Sequence, residues 1–176
     1  MKIKSFPPIV NQQTRVLILG TMPGAASLAQ GEYYAHKQNQ FWKIIFHIFA
    51  HGTTPENFTE KVTLMQNNQL GLWDVLQYCE REGSLDSNIK NPEENDLPGL
   101  LEQYPNIQKI IFNGQESHRL FHKKFGHIIN LEKHILPSTS PAHTMKFELK
   151  LAAWQKALIG SDSAPETRVG GGSDAQ

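Results

Sequence analysis

A chain of 176 residues with a single cysteine, Cys79, forms no intrachain disulfide and assembles no multi-cysteine zinc or iron–sulfur centre. Such thiol scarcity suits a reducing compartment, and a cytoplasmic location is the expectation. Long hydrophobic runs are missing as well. No apolar stretch approaches the roughly 20 residues that cross a bilayer, so no membrane partner is expected. The start, Met1-Lys2-Ile3-Lys4-Ser5-Phe6-Pro7-Pro8, has two lysines but no apolar region after them, unlike a secretory signal. Charge of one sign is also lacking, since Lys plus Arg and Asp plus Glu number 17 each. Bulk electrostatics therefore announce no nucleic-acid partner, and a polyanion would have to be held by a local basic patch or by backbone amides.

Three familiar templates are absent too. The stretch LGTMPGAASL, Leu19 to Leu28, follows an apolar run and carries two glycines, yet it lacks the third glycine of a dinucleotide fingerprint and the Gly-Lys-Ser/Thr of a phosphate loop. Without a Gly-x-Ser-x-Gly elbow, a serine hydrolase is a poor reading of Ser27 or Ser138. The pairs His47/His51 and His118/His122 stand at i, i+4, but neither has an evident third ligand, so no metal or other cofactor is expected.

What is present is a core. With 39% hydrophobic residues, three Trp and nine Phe, the chain predicts one packed domain over residues 1–160. Residues 161–176 include a GGGS run without apolar periodicity, which reads as a disordered tail or an expression remnant. Val16 to Leu19 predicts a short buried strand. Phe41, Ile44, Ile45, Ile48 and Phe49 form the stripe of a helix beginning near Asn39. A helix after Pro55 leads into a strand over Gly71 to Leu76. Arg81 to Asn95 reads as a polar surface loop before a short helix near Pro98 to Gln103. Lys109 to Gly114 is the clearest strand and runs into the helix QESHRLFHKKF, whose lysines suit its C-terminal dipole. A brief strand at His134 to Leu136 and a closing helix through Phe147, Leu151, Trp154 and Leu158 complete the pattern.

Strands alternating with helices predict an α/β fold: a single-domain, three-layer αβα arrangement around a four-stranded, mostly parallel sheet. Ligands of such sheets gather outside the carboxyl ends of the strands. Three of those ends carry unusual polar loops here, at Gly20 to Gly24, Asn113-Gly114 and Pro137 to His143.

Taken together, GTMPGAASL, YYAHKQNQFW and LPSTSPAH resemble the motifs of the uracil-DNA glycosylase superfamily, and most of all its hypoxanthine-DNA glycosylase branch. The resemblance covers nearly the whole chain to about the closing helix. It implies a monofunctional glycosylase that flips a deaminated base, hypoxanthine or uracil, out of DNA and hydrolyses its N-glycosidic bond, without cofactor and as a monomer. It also implies a first motif with a water-positioning Asp or Asn, where this chain has Thr21 and Met22, and a second motif opening on a histidine, where it has Leu136. In the hypoxanthine branch the catalytic role falls to the asparagine of His-x-x-Asn-x-Phe-Trp, which is Asn39 here; its amide would accept a hydrogen bond from the attacking water.

For most of these residues a plainer role competes. Asn39 also suits the N-cap of the Phe41 helix. Met22, Tyr34, His36, Phe41, Asp74 and Asn113 are candidates for the base pocket. Against that, Tyr34 and His36 fit ordinary loop packing, Phe41 the core stripe, Asp74 a strand-end cap and Asn113 an Asn-Gly turn. Gly20, Thr21, Pro23, Gly24, Ser138, Thr139, Ser140 and His143 are candidates for DNA contact, with Met145 a wedge by position alone. Small side chains there let backbone amides approach sugar and phosphate. The rival from another class is a non-catalytic nucleotide- or nucleic-acid-binding module on the same fold, which the neutral net charge and the missing motif residues favour.

Overall fold

The computed structural model describes residues 2–159. Its elements run β1 (Lys2–Lys4), β2 (Val16–Gly20), α1 (Ala25–Gln30), α2 (Phe41–Phe49), α3 (Phe58–Asn67), β3 (Leu70–Asp74) and β4 (Leu76–Glu80). They continue with a 3-10 turn (Asp86–Asn88), β5 (Lys90–Glu94), α4 (Leu97–Gln103), β6 (Lys109–Asn113), α5 (Gln115–Phe125), β7 (Glu132–Leu136) and α6 (Phe147–Leu158). The chain divides after His143, and the second unit carries α6. The tail expected over residues 161–176 lies outside the described residues.

The larger sheet has the order β3-β2-β6-β7, with every neighbouring pair parallel. Helices flank it, with α3 on β3 and α5 on β6 and β7. Leu17, Ile18, Leu19, Ile110, Ile111 and Phe112 are fully buried, as central strands covered on both faces require. At the edge, β7 is more exposed and shows Ile135 to solvent. From β2 the chain winds first to β3 on one side and later to β6 on the other. The order therefore reverses between β2 and β6, and the crevice outside their carboxyl ends is where such sheets bind ligands.

A second sheet, antiparallel and ordered β1-β4-β5, was not expected from the sequence. The strand predicted over Gly71 to Leu76 is in fact two, because the chain bends after Asp74. Buried Asn95 clasps that bend, donating from Nδ2 to the carbonyls of Asp74 and Leu76. Val75 N–H meanwhile bonds Gly20 O, and Leu76 N–H bonds Thr21 O, fixing the bend against the end of β2. The predicted loop over Arg81 to Asn95 contains the 3-10 turn and β5. That strand is exposed and polar, carrying Lys90, Asn91 and Pro92, so it offers no apolar alternation to read. In the second unit, α6 buries Trp154 and Leu158 of the predicted stripe.

Candidate active site

A cavity of about 430 Å³ opens at the switch point. Its floor is the turn after β2, and its sides are the end of β3, Asn113, the loop Ser138 to His143 and the segment before α2. Gly20 sits where two polar groups converge. A methyl at its Cα would stand 2.6 Å from Asp74 Oδ1 and 2.9 Å from Tyr34 Oη. Gly20→Ala is expected to lower stability by about 1–3 kcal/mol, since the clash is with buried groups. Chemical denaturation measures it; a shift under about 0.5 kcal/mol would show that Asp74 and Tyr34 yield freely.

The asparagines are held by one residue. Thr139, fully buried, donates from Oγ1 to Asn39 Oδ1 at 2.8 Å and accepts from Asn113 Nδ2 at 3.0 Å. Its amide donates to Asn113 Oδ1 at 2.9 Å, and its carbonyl accepts from Gln40 N–H. Asn39 Oδ1 also accepts from Phe41 N–H at 2.9 Å, so the side chain caps α2 from one residue outside its N-cap, Gln40. Two hydrogen bonds fill the lone pairs of that oxygen, which leaves Nδ2 as the amide's remaining hydrogen-bonding group. The Phe41 backbone donor fixes which way the amide faces, because only an oxygen can accept from it.

Opposite stand Tyr34 and Asp74. Tyr34 lies at φ 55°, a left-handed conformation that a bulky side chain adopts only under constraint. Its ring stacks on Phe41 with centroids 4.2 Å apart. Burial, and then the Asp74 charge, push the phenol well above its ordinary range. Asp74 is itself raised to about 7, chiefly by burial and next by Asp86, with Arg81 opposing. Neither Tyr34 Oη nor Asp74 Oδ2 has a hydrogen-bond partner of ordinary geometry. Buried polar groups left so are unusual, and here they face a cavity.

The family model described as the Uracil DNA glycosylase superfamily matches residues 7–159. The chain belongs to that superfamily. Two hypoxanthine DNA glycosylases are similar to this superfamily member. The protein of Methanosarcina barkeri is 32% identical over 90% of this chain and 99% of its own. The one of Methanosarcina acetivorans is 32% identical over 86% and 95%. A Methanosarcina acetivorans protein solved by solution NMR, provisionally assigned as a uracil DNA glycosylase, superposes with a TM-score of 0.80 at 29% identity, covering 93% of this chain and 100% of that one.

All the glycosylase's predicted site residues line the cavity except Phe41. That residue is fully buried behind Tyr34, because it belongs to the inward stripe of α2, so the cavity's aromatic lining comes from Tyr33 and Tyr34 instead. Trp42 is likewise core, its Nε1 donating to Tyr33 O. Thr139 lines the cavity, but its hydroxyl is engaged by the two asparagines and is not offered to a phosphate. His36 Nδ1 accepts from Gln38 N–H. Lys37, the lysine inside the YYAHKQNQFW stretch, is exposed, and no lysine lines the cavity among the described residues. Met145 lies in the second unit and is exposed.

One wall escaped sequence reasoning. Ser84, Leu85 and Asp86 line the cavity from a segment fastened to the turn after β2. Arg81 donates from Nη2 to Pro23 O at 2.6 Å and from Nε to Gly83 O at 2.9 Å. Ser84 Oγ accepts from Ala25 N–H at 2.9 Å. The only signal in the sequence was a Ser-Leu-Asp run in a polar stretch, which turn chemistry explains equally well.

Proposed function

We propose that the cavity receives a flipped deaminated nucleotide, with hypoxanthine the preferred base, and that the chain is a monofunctional DNA glycosylase leaving an abasic site for base excision repair. The observation that carries the reading is the convergence of Asn39, Asn113, Asp74 and Tyr34 on one cavity at the switch point of the sheet, in a chain of this superfamily. Tyr34 supplies a ring face for the base, and Asp74, whose Oδ2 has no hydrogen-bond partner, meets its edge. A neutral carboxyl donates one hydrogen bond and accepts another, which matches the O6 and N1–H of hypoxanthine.

Asn39 is the residue to which we assign the attacking water. With Oδ1 occupied, Nδ2 donates to the water oxygen and leaves a lone pair aimed at C1′. The turn Gly20 to Gly24 and the loop Ser138 to Ser140 bring backbone close to sugar and phosphate. The proposal assigns this work to one domain over residues 1–160, acting as a cytoplasmic monomer on DNA. Among the described residues no helix is long and apolar enough to cross a membrane.

The test is single-turnover excision from duplexes carrying one deoxyinosine or one deoxyuridine, read by alkaline cleavage of the abasic product. Release from the inosine duplex, faster than from the uridine duplex, is the expected result. Cleavage of neither by folded protein would overturn the proposal in favour of a binding module.

A further inference from the structure

Among the described residues two carboxylates line the cavity, Asp74 and Asp86. Asp86 lines the same cavity from the other wall and differs in kind. Asp74 is 3% exposed at a strand end, whereas Asp86 is half-buried at the head of a 3-10 turn and so stays within reach of water. Its place is fixed by the bonds from Arg81 to Pro23 O and from Ala25 N–H to Ser84 Oγ, which fasten the segment before it to the turn after β2. Gly24 permits that approach, since a methyl there would stand 3.3 Å from Ser84 Oγ. The Thr21 hydroxyl lies against the Asp86 carboxylate.

Hydrolysis of a glycosidic bond needs somewhere for the water's proton to go and something to face a sugar that becomes electron-poor. Asn39 provides neither, because its oxygen already accepts two hydrogen bonds. Asp74 faces Gly20 and Tyr34 at the buried end of the cavity. Among the described residues, Asp86 is the remaining carboxylate on the cavity wall.

Resting on the glycosylase reading above, we propose that Asp86 is a further catalytic residue, accepting the proton of the water held by Asn39 and facing the cationic sugar. In the step, the C1′–N9 bond breaks and its electron pair leaves with the base, which takes a proton from solvent. The water oxygen bonds C1′, its proton passes to the Asp86 carboxylate, and from there it returns to solvent. The pairing divides the work by environment: the buried carboxyl reads the edge in its neutral form, and the wetter one works ionised.

The groups facing Asp86 are Arg81 and Thr21, which favour its charge, and Glu116, Asp74, Tyr34 and Cys79, which disfavour it or are disfavoured by it. Burial raises it first of all, with Thr21 and Arg81 opposing, so the ionised form is lost as pH falls through a value above its ordinary one.

The experiment compares wild type, Asp86→Asn and Asp86→Glu in single-turnover excision of hypoxanthine from pH 5 to 8. Binding to a duplex carrying hydrolysis-resistant 2′-fluoroarabino-inosine is measured in parallel. Expected are a loss of about 100-fold in Asp86→Asn at pH 8, unchanged binding, partial recovery in Asp86→Glu, and a wild-type to Asp86→Asn ratio that shrinks toward acid. Asp86→Asn also removes a charge that raises Asp74, so Asp86→Glu, which keeps that charge, is the control for the Asp74 titration. Excision by Asp86→Asn within about threefold of wild type at every pH would overturn the assignment and leave the glycosylase reading standing. If Asp86→Asn fails to fold, Asp86→Ser takes its place, and excision within about threefold of wild type at every pH counts against the proposal. Absence of excision by wild type itself would remove both.

Discussion

Asn39→Ala is expected to slow single-turnover excision of hypoxanthine by about 1,000-fold while the protein stays folded and binds inosine-containing DNA. The side chain does two jobs, and the variant removes both. Its oxygen caps α2 through Phe41 N–H and accepts from Thr139, which is worth about 1 kcal/mol of stability. Its Nδ2 is the group that we assign to the water, and misplacing an aimed nucleophile forfeits most of the gain from positioning. Thr139→Val separates the two. It keeps the Asn39 side chain and its cap but removes the hydroxyl that joins Asn39 to Asn113, so a loss of about 10-fold is expected. Because the two residues act as one unit, Asn39→Ala/Thr139→Val should be no slower than Asn39→Ala alone. Asn39→Ala protein that excises within about threefold of wild type would show that the water is held elsewhere.

The parallel sheet was legible because its strands are buried on both faces and read as unbroken apolar runs. VLILG and KIIFN have little other interpretation, and the helix QESHRLFHKKF was readable to the residue. The antiparallel sheet was not. Its strands KIK and KNPEE are short, charged and exposed, and they exist because β4 gives them a partner, a fact of tertiary pairing that local pattern does not carry. The break between β3 and β4 was hidden for the same reason: Asn95, twenty-one residues downstream of Asp74, clasps it.

The site shows a similar divide. The turn after β2, Asn39, Asn113 and the loop after β7 sit at strand or helix boundaries, where sequence marks the punctuation even when it leaves the role open. Whether Asn39 was a cap or a reactive residue could not be decided from spacing, and the structure explains why: the same oxygen caps the helix, while the other half of the amide remains for the cavity. Phe41 was assigned to the base because an aromatic was needed. The aromatic residues lining the cavity are Tyr33 and Tyr34, the latter placed by a left-handed backbone that no sequence pattern announces. Asp86 was beyond reach because its position depends on Arg81 and Ser84 bonding a turn some sixty residues earlier.

Asp74 gives the largest expected effect on stability, and its sign runs against ordinary experience with aspartates. In the folded protein burial raises it to about 7, whereas its ordinary value is 3.8. Between those values the folded state keeps a proton that the unfolded chain has released, so folding stability falls as pH rises. The contribution is fully present below about pH 4, declines through neutrality and is gone above about pH 7; that span corresponds to about 4 kcal/mol. Asp74→Asn removes the ionisation without changing the shape. Urea unfolding should therefore find the variant close to wild type at pH 4 and more stable than wild type by up to about 4 kcal/mol at pH 8. Parallel curves for the two proteins would mean that the carboxyl is already ionised throughout. An amide offers the same donor and acceptor as a neutral carboxyl, so Asp74→Asn should also keep hypoxanthine excision, whereas Asp74→Ala should lose it. Stability and edge recognition thus draw on one protonation state: wild type weakens while the folded carboxyl still holds its proton, and the decline ends near pH 7, where the carboxyl ionises and stops presenting a donor to O6.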